Sequence, residues 1–230
     1  MKLIWFISYN LIFYPLIFVI GLIFSLFNSK YYSSVNGKMM SFDKDCEGNL
    51  YHKKEVLKGL TNLEFGSVAF FNDGNSAIGS LIDSVTHKSG LYFFTQKKGV
   101  WTKPTKLLSD EKNNYAFPFM DEFNHALYFS SDKPEGQGGY DIYVANISGN
   151  KIQKPINLGP VINSAGNEIN AILQDGWLFM SSNGHVSLGG YDLYKYQYHD
   201  DDKATLINCV DFNSKKNDFS IFVLPDIIFL

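Results

Sequence analysis

The sequence predicts an all-β protein built from repeated units of four antiparallel strands, and three observations support this prediction. Residues 127–143 return without a gap as residues 178–194, an offset of 51 positions (127 to 178). Each unit divides into four short apolar segments separated by turns rich in Gly, Asn and Asp. Aromatic residues make up 16% of the chain and charged residues 19%, a balance typical of pleated sheets that carry large side chains.

A repeat of about 40 to 50 residues with four strands is the signature of a β-propeller blade, a sheet that packs against its neighbours around an axis. A solenoid repeat would be shorter or helical. We therefore predict an all-β β-propeller of four-stranded antiparallel blades over residues 37–230, with about three whole blades and two half blades. Repeated large side chains are predicted to pack between blades: Tyr128/Phe179, Phe129/Met180, Tyr140/Tyr191 and Tyr143/Tyr194.

The three whole units share one strand order. In unit one the predicted strands are residues 65–71, 76–82, 90–95 and 100–107. In unit two they are residues 115–120, 126–131, 141–147 and 152–158. In unit three they are residues 167–173, 177–182, 192–198 and 204–209.

Two partial units flank the whole ones. Residues 38–42 and 50–57 resemble the third and fourth strands of a unit, whereas residues 219–223 and 227–230 resemble the first and second. The two halves could combine into one blade that closes a four-bladed ring and removes its exposed edges. Alternatively, the chain is a shortened relative or a fragment with an open arc, which the end of the sequence without a terminating turn favours.

The N-terminal region predicts export. Lys2 precedes an apolar run over residues 3–27, about 25 residues that suffice to span a hydrocarbon core of about 30 Å. Because the run lacks a small-x-small cleavage site, residues 1–28 are predicted to be an uncleaved signal anchor rather than a cleaved signal peptide. Residues 29–36 would then form a polar tether. Either interpretation carries the remainder of the chain across a membrane.

Residues 127–143 and 178–194 resemble the TolB-like, or WD40-like, β-propeller repeats of exported bacterial proteins. The motif of residues 127–143 is similar to the version of this repeat in OmpA-family cell-envelope proteins of Bacteroidetes. It reads Leu-Tyr-Phe-Ser-Ser-Asp-Lys-Pro-x-Gly-x-Gly-Gly-Tyr-Asp-Ile-Tyr. Residues 155–160 and 162–164 resemble that group's blade connection. The resemblance implies a periplasmic module, anchored by its N-terminal segment or secreted, that binds envelope proteins. Peptidoglycan binding is not implied, since these 230 residues include no OmpA-type domain.

No catalytic group is predicted, and the chain is expected not to be an enzyme. Paired serines recur at residues 130–131 and 181–182, whereas catalysis needs one assembled constellation. The adjacent acids Asp121 and Glu122 would point to opposite faces of a strand, which argues against a glycosidase pair. A propeller-class hydrolase acting on glycans or peptides remains the alternative function, and a non-functional fragment is the third.

No cofactor, metal, small-molecule substrate or nucleic acid is expected. The net charge is −3 and no basic block occurs, which excludes an electrostatic nucleic-acid surface. Asp141 and Asp192 are predicted to cap backbone N–H groups rather than bind calcium. The Gly-rich loops at residues 136–139 and 188–190 are predicted to supply positive φ in tight connections rather than to cradle an anion.

The predicted binding surface lies on the loops of one rim, whose sequences differ most between units. The candidate residues are Lys133, Glu135, Gln137, His185 and Ser187. The two cysteines are too few for a disulfide framework. Whether Cys46 and Cys209 form a single bridge stays open, with unpaired thiols favoured.

Overall fold

The computed structural model describes the side chains of residues 57, 60, 63–72, 74–197 and 205–219, and several further strands by their backbone alone. The described residues are all-β and contain no helix. None of them therefore forms a helix of the length and apolar character that a membrane crossing needs. The predicted leader, residues 1–28, lies outside the described residues apart from one short strand, and the export segment stays a prediction.

The strands are numbered in chain order. The first four are β1 (Ile4–Phe6), β2 (Tyr31–Val35), β3 (Lys38–Lys44) and β4 (Leu50–Glu55). The first sheet contains β5 (Glu64–Phe71), β6 (Ser76–Ile82), β7 (Ser89–Lys97), β8 (Val100–Trp101) and β9 (Thr105–Leu108). The second contains β10 (Tyr115–Asp121), β11 (Ala126–Ser131), β12 (Asp141–Ser148), β13 (Lys151–Ile152) and β14 (Ile156–Asn157). The third contains β15 (Glu168–Gln174), β16 (Trp177–Ser182), β17 (Asp192–Gln197) and β18 (Thr205–Asn208), and β19 (Ile221–Val223) follows it.

The prediction of four-stranded antiparallel units is confirmed for the three repeats. In the first two sheets the fourth strand is divided, because β8 and β9 both pair with β7, and β13 and β14 both pair with β12. Pro104 and Pro155 lie at these divisions, where the missing N–H cannot join the ladder. The third unit has no proline between its third and fourth strands, and β18 pairs with β17 without interruption.

The first strand of each sheet carries an irregularity at the same place. A register shift interrupts the pairing of β5 with β6, of β10 with β11 and of β15 with β16. Within two of these shifts Phe117 and Asn170 have φ angles of 51° and 55°, which non-glycine residues adopt only when packing holds them there. The N–H of Phe117 donates to Ser67 Oγ at 2.8 Å, so the bulges tie neighbouring first strands together.

The hydrophobic core lies between the faces of successive sheets. Leu91 of the first sheet packs in one cluster with Leu127 and Phe129 of the second. The second sheet contributes Ile142 to a cluster with apolar side chains of the third, namely Leu178, Met180 and Tyr194. Because burying a side chain of this size contributes about 1.5–3 kcal/mol, face-to-face stacking is a main source of stability. The architecture is propeller-like.

The prediction that Tyr143 and Tyr194 occupy equivalent places is confirmed. Tyr143 is buried in the cluster between the first and second sheets, and its ring stacks on Phe129 with centroids 5.8 Å apart. Tyr194 is buried in the cluster between the second and third sheets. The repeat in sequence is therefore a repeat in three dimensions.

Strands β2, β3 and β4 form a separate antiparallel sheet of three strands, which we call the N-terminal sheet. The segments predicted as third and fourth strands, residues 38–42 and 50–57, coincide with β3 and β4. The range predicted as a tether, residues 29–36, holds β2. Strand β19 lies in the range predicted to open a further unit, and it pairs antiparallel with β1. Residues 227–230 lie outside the described residues.

Candidate functional site

The residues predicted to bind a partner lie on two loops at one edge of the sheets. The loop between β11 and β12 carries Lys133, Glu135 and Gln137, and the loop between β16 and β17 carries His185 and Ser187. Both loops join a second strand to a third strand, so they project from the same edge. We call this edge the loop rim; it comprises residues 132–140 and 183–191 with the connection at residues 158–167. The opposite edge, where first and second strands meet in short turns, is the turn edge.

One buried aspartate anchors each loop of the rim. The carboxylate of Asp141 accepts hydrogen bonds from the N–H groups of Gln137 (2.5 Å) and Gly138 (3.2 Å). The carboxylate of Asp192 accepts from the N–H groups of Leu188 (2.6 Å) and Gly189 (3.2 Å). The prediction that these two aspartates cap backbone N–H groups is confirmed. The same anchor therefore fixes both loops in the same conformation at their C-terminal ends.

The predicted role of the glycines in these loops was wrong. Their backbone does not adopt positive φ; the glycines that do so lie in other turns. A Cβ on Gly139 would overlap Asn167 Oδ1, and a Cβ on Gly190 would overlap Asn217 Oδ1. These glycines permit the connection to the following unit to approach the loop closely, which a sequence pattern alone does not distinguish from a need for positive φ.

Asparagine side chains lock each loop to the connection that follows it. The N–H of Tyr140 donates to Asn167 Oδ1 at 3.0 Å, and the N–H of Tyr191 donates to Asn217 Oδ1 at 3.0 Å. In the first unit the N–H of Ser89 donates to Asn114 Oδ1 at 3.1 Å. Sequence reasoning missed these asparagines, because their spacings of 53 and 50 residues (114 to 167, 167 to 217) depart from the 51-residue offset.

The two predicted residues of the third sheet's loop, His185 and Ser187, hold the loop in place with their side chains. His185 Nε2 lies 2.8 Å from the Ile162 carbonyl oxygen, which ties the loop to the connection at residues 158–167. Ser187 Oγ donates to the carbonyl of Gly189 at 3.0 Å. Burial, followed by the charge of Asp192, raises the pKa of the Tyr194 phenol to about 12, so its hydroxyl remains a donor.

That hydroxyl donates to the carbonyl oxygen of Val186. Val186 is 92% exposed, and Leu188 beside it is also exposed. Val161, on the adjacent connection, is a third exposed apolar side chain of the loop rim. The third sheet's part of the rim therefore presents apolar side chains on a rigid backbone.

The second sheet's loop presents charge at the corresponding place. Lys133 Nζ lies 3.7 Å from Glu135 Oε2, and the Glu135 carboxylate is largely exposed. An ion pair this exposed contributes little to stability, typically about 0–1 kcal/mol. Both groups consequently remain available to an external partner. The side chain of Gln137 is exposed as well, while its N–H serves the Asp141 anchor.

A buried carboxylate joins the second sheet's connection to the third sheet. Glu168 Oε2 accepts from the N–H of Ser164 at 2.8 Å, and Oε1 accepts from the hydroxyls of Ser164 (2.6 Å) and Ser182 (2.5 Å). In the second sheet, Tyr115 and Ser131 occupy the positions that Glu168 and Ser182 occupy in the third sheet. Within the described part of the chain the Ser131 hydroxyl has no hydrogen-bond partner.

Tyr115 instead donates its hydroxyl to Asp110 Oδ2 at 2.6 Å. Burial raises the pKa of the Asp110 carboxyl, but hydrogen bonds from Tyr115, Asn113 and the Lys112 N–H outweigh it and hold the pKa below its ordinary value. Burial, with the adjacent Asp110 acceptor, raises the pKa of the Tyr115 phenol. The pair is a structural clamp at the junction of the first two sheets.

The described residues bring no candidate reaction centre together. Asp121 accepts from the N–H and side-chain amide of Asn124, and Glu122 accepts from the N–H of Asn72 at 2.8 Å. No group of three or more His, Cys, Asp or Glu side chains suited to a metal ion occurs among these residues. Cys209 is a free, buried thiol whose pKa is raised by burial.

Solved structures with propeller-type folds are similar to this chain. The structure of a Mycobacterium tuberculosis puromycin-hydrolyzing peptidase matches 84% of this chain with 17% identity and a TM-score of 0.51. The structure of the WD40 domain of SCAP from fission yeast matches 86% of this chain with 11% identity and a TM-score of 0.37, and the match covers 49% of that domain. No family model matches the sequence, and no curated protein matches it.

The chain spans 30% of the length of the peptidase. At this identity the likeness shows the fold alone. The likeness and the repeated four-stranded sheets agree that the chain is propeller-like, an architecture that hosts many unrelated functions.

Proposed function

We propose that this chain is a non-enzymatic, exported propeller-like module that binds proteins of the bacterial cell envelope through its loop rim. One observation carries the proposal: Asp141 and Asp192 anchor two loops identically, yet the loops expose different side chains. A constant scaffold that carries variable loops is the usual design of a protein-binding surface. The ion pair of Lys133 and Glu135 on one loop and the exposed apolar Val186 on the other suit a partner with mixed polar and apolar contacts.

Support for an envelope location comes from the sequence. The apolar run after Lys2 is typical of an export signal, and the repeat resembles exported TolB-like propellers. We place the module in the periplasm, anchored by residues 1–28 or secreted after their cleavage. The assignment as a non-enzyme is supported by the hydrogen bonds that occupy Asp121 and Glu122.

A differential pull-down tests the binding surface. Full-length protein and a variant with Val186→Asp and Leu188→Asp are used to capture proteins from bacterial envelope extracts, with quantification by mass spectrometry. The matched control is Phe123→Asp, which changes a 91% exposed apolar residue on the turn edge. We expect the rim variant to lose envelope partners that the wild type and the control retain. Recovery of no envelope protein by the wild type, or equal loss in both variants, would contradict the proposal.

Export has a separate test. Residues 1–57 fused to alkaline phosphatase should give an active enzyme, because its disulfides form only outside the reducing cytoplasm. A fusion that starts at residue 29 is the control and should be inactive. An inactive fusion of residues 1–57 would remove the envelope location while leaving the binding surface to be judged by the pull-down.

A further inference from the structure

One face of the third sheet is built like an interface but has no described sheet against it. This terminal face, on the side away from the second sheet, consists of Phe179, Leu193 and Cys209, with Ile172 and Trp177 packed against them. All the described members of this cluster belong to the third sheet or to the residue directly after it. Phe179, Leu193 and Cys209 are nevertheless buried.

The corresponding positions of the other sheets are sheet-to-sheet contacts. In the second sheet they are Tyr128, Ile142 and Leu158, which pack against the third sheet. In the first sheet they are Ile78, Leu91 and Leu108, which pack against the second sheet. The terminal face therefore repeats a surface that twice receives the following sheet.

A groove marks the place that a following sheet would take. It has a volume of about 540 Å³ and is lined by Trp177, Phe179, Cys209 and Phe212, among others. Phe212 follows the third sheet as Ile162 follows the second, but Phe212 is 37% exposed whereas Ile162 is 3% exposed. The end of the third sheet is therefore more open at this position than the end of the second sheet.

The N-terminal sheet is placed like a sheet that precedes the first one. Strands β2 and β3 lie against β5, just as β6 and β7 lie against β10, and β11 and β12 against β15. Leu57 packs against the first sheet beside Phe65, as Leu108 packs against the second. Strands β2, β3 and β4 thus correspond to the second, third and fourth strands of a unit, and the part of the chain that the structure describes shows no first strand in this sheet.

The chain after the third sheet supplies a first strand. The N–H of Asp218 donates to the Tyr191 carbonyl at 2.7 Å, just as the N–H of Glu168 donates to the Tyr140 carbonyl at 2.6 Å where β15 begins. Ser214 caps onto Asp218 as Ser164 caps onto Glu168. Strand β19 follows, and its described partner is the N-terminal strand β1, so the two ends of the chain already meet.

We propose that β19 and the N-terminal sheet together form a fourth sheet, which packs on the terminal face and closes one chain into a ring of four sheets. Strand β19 would supply the first strand of this sheet, and β2, β3 and β4 would supply the other three. The same sheet would contact the first sheet through Leu57 and the third through Leu193. The proposal is independent of the binding function. It selects the closed ring over the open arc that the sequence alone favoured.

Lysine cross-linking of the full chain in mild detergent tests the closure. Lys195 lies on the terminal face, with Nζ 4.7 Å from the centroid of the Trp177 ring. We expect a short amine-reactive cross-linker to join it to lysines of the N-terminal sheet, namely Lys38, Lys44, Lys53 or Lys54. An equal mixture of unlabelled and ¹⁵N-labelled chains identifies links within one chain. The internal control is a link between Lys88 and Lys133, which flank Asp132; Lys88 Nζ is 3.8 Å from its carboxylate.

Two cross-linking results would overturn the proposal. Links from Lys195 to the N-terminal sheet that occur in mixed-isotope pairs would show that a second copy covers the terminal face. Absence of these links, with the Lys88–Lys133 link recovered, would show an open arc.

Thiol labelling of Cys209 provides a second measurement, in a Cys46→Ser chain. Ser41→Pro breaks the pairing of β3 with its neighbours, and Ser41→Ala is the matched control. We expect Cys209 to react about tenfold faster in the proline variant, with β16 and β17 still protected from hydrogen exchange. Unchanged labelling with that protection retained would contradict closure. If the proline variant loses the protection, the cross-linking result decides.

Discussion

Glu168 is a fully buried carboxylate that receives three hydrogen bonds at the junction of the second and third sheets. Glu168→Ala leaves those donors without an acceptor in a dry interior. We expect the free energy of unfolding to fall by about 2–3 kcal/mol, measured by urea denaturation. Glu64 begins β5 as Glu168 begins β15 but is exposed, so Glu64→Ala is the control and should change stability by less than about 0.5 kcal/mol. Equal losses of stability in both variants would contradict this structural role of Glu168.

Asp110 makes the stability depend on acid pH. Burial raises the pKa of its carboxyl, but the hydrogen bonds from Tyr115 and its neighbours lower the pKa below the unfolded value of about 3.9. The stabilisation is therefore complete above about pH 5 and is lost as pH falls through the folded pKa. We expect Asp110→Asn to destabilise at pH 7 by less than about 1 kcal/mol, since solvent screens this exposed group.

The difference in unfolding free energy between the Asp110→Asn variant and the wild type should shrink below about pH 4. Tyr115→Phe, which removes the hydroxyl donor, serves as the control and should weaken the same pH dependence. A difference that stays constant from pH 7 to pH 3 would show that the carboxyl has no lowered pKa.

At the scale of the elements, the contact between consecutive sheets carries much of the stability. Ile142 of β12 is fully buried between the second and third sheets. Ile142→Ala should lower the free energy of unfolding by about 2–5 kcal/mol, because it removes buried methyl groups and leaves a cavity. Ile156→Ala is the control on β14, where the side chain is 66% exposed, and should change it by less than about 0.5 kcal/mol. Similar values from calorimetry or urea denaturation for both variants would contradict the sheet-to-sheet core.

The strands of the three whole units could be predicted because periodic apolar segments and turn residues are local signals. The division of the fourth strands also has a local cause, because Pro104 and Pro155 cannot donate to the ladder. This division was not predicted from the sequence. The bulge at Phe117 could not be predicted, because its φ of 51° is imposed by neighbouring first strands.

The candidate site was predicted in part. The loops of the rim were located from their differing sequences, and the caps at Asp141 and Asp192 from their position before a strand. Glu168 was missed because its role depends on hydrogen bonds from Ser164 and from Ser182 of the neighbouring strand. The alignment of the repeats does not show which side chains meet in space. Partner binding by the loop rim remains a prediction.

At the scale of the whole molecule, the second sheet lies between the first and third sheets, which cover its two faces. Leu127 and Ile142 on its opposite faces are both fully buried. We expect amide hydrogen exchange, measured by mass spectrometry, to be slowest in β11 and β12. Exchange in the outer strand β18 should be faster and provides the comparison. Slowest exchange in β18 would contradict a core centred on the second sheet.

The matched aspartate anchors also make the molecule a candidate for protein engineering. Nine residues separate Ser131 from Asp141 and nine separate Ser182 from Asp192, and each aspartate accepts hydrogen bonds from two main-chain amides of its own loop. A segment of equal length can therefore be grafted from one position to the other, provided that the terminal glycine pair is kept. Randomised libraries inserted between anchor and strand would display new recognition sequences on an unchanged framework.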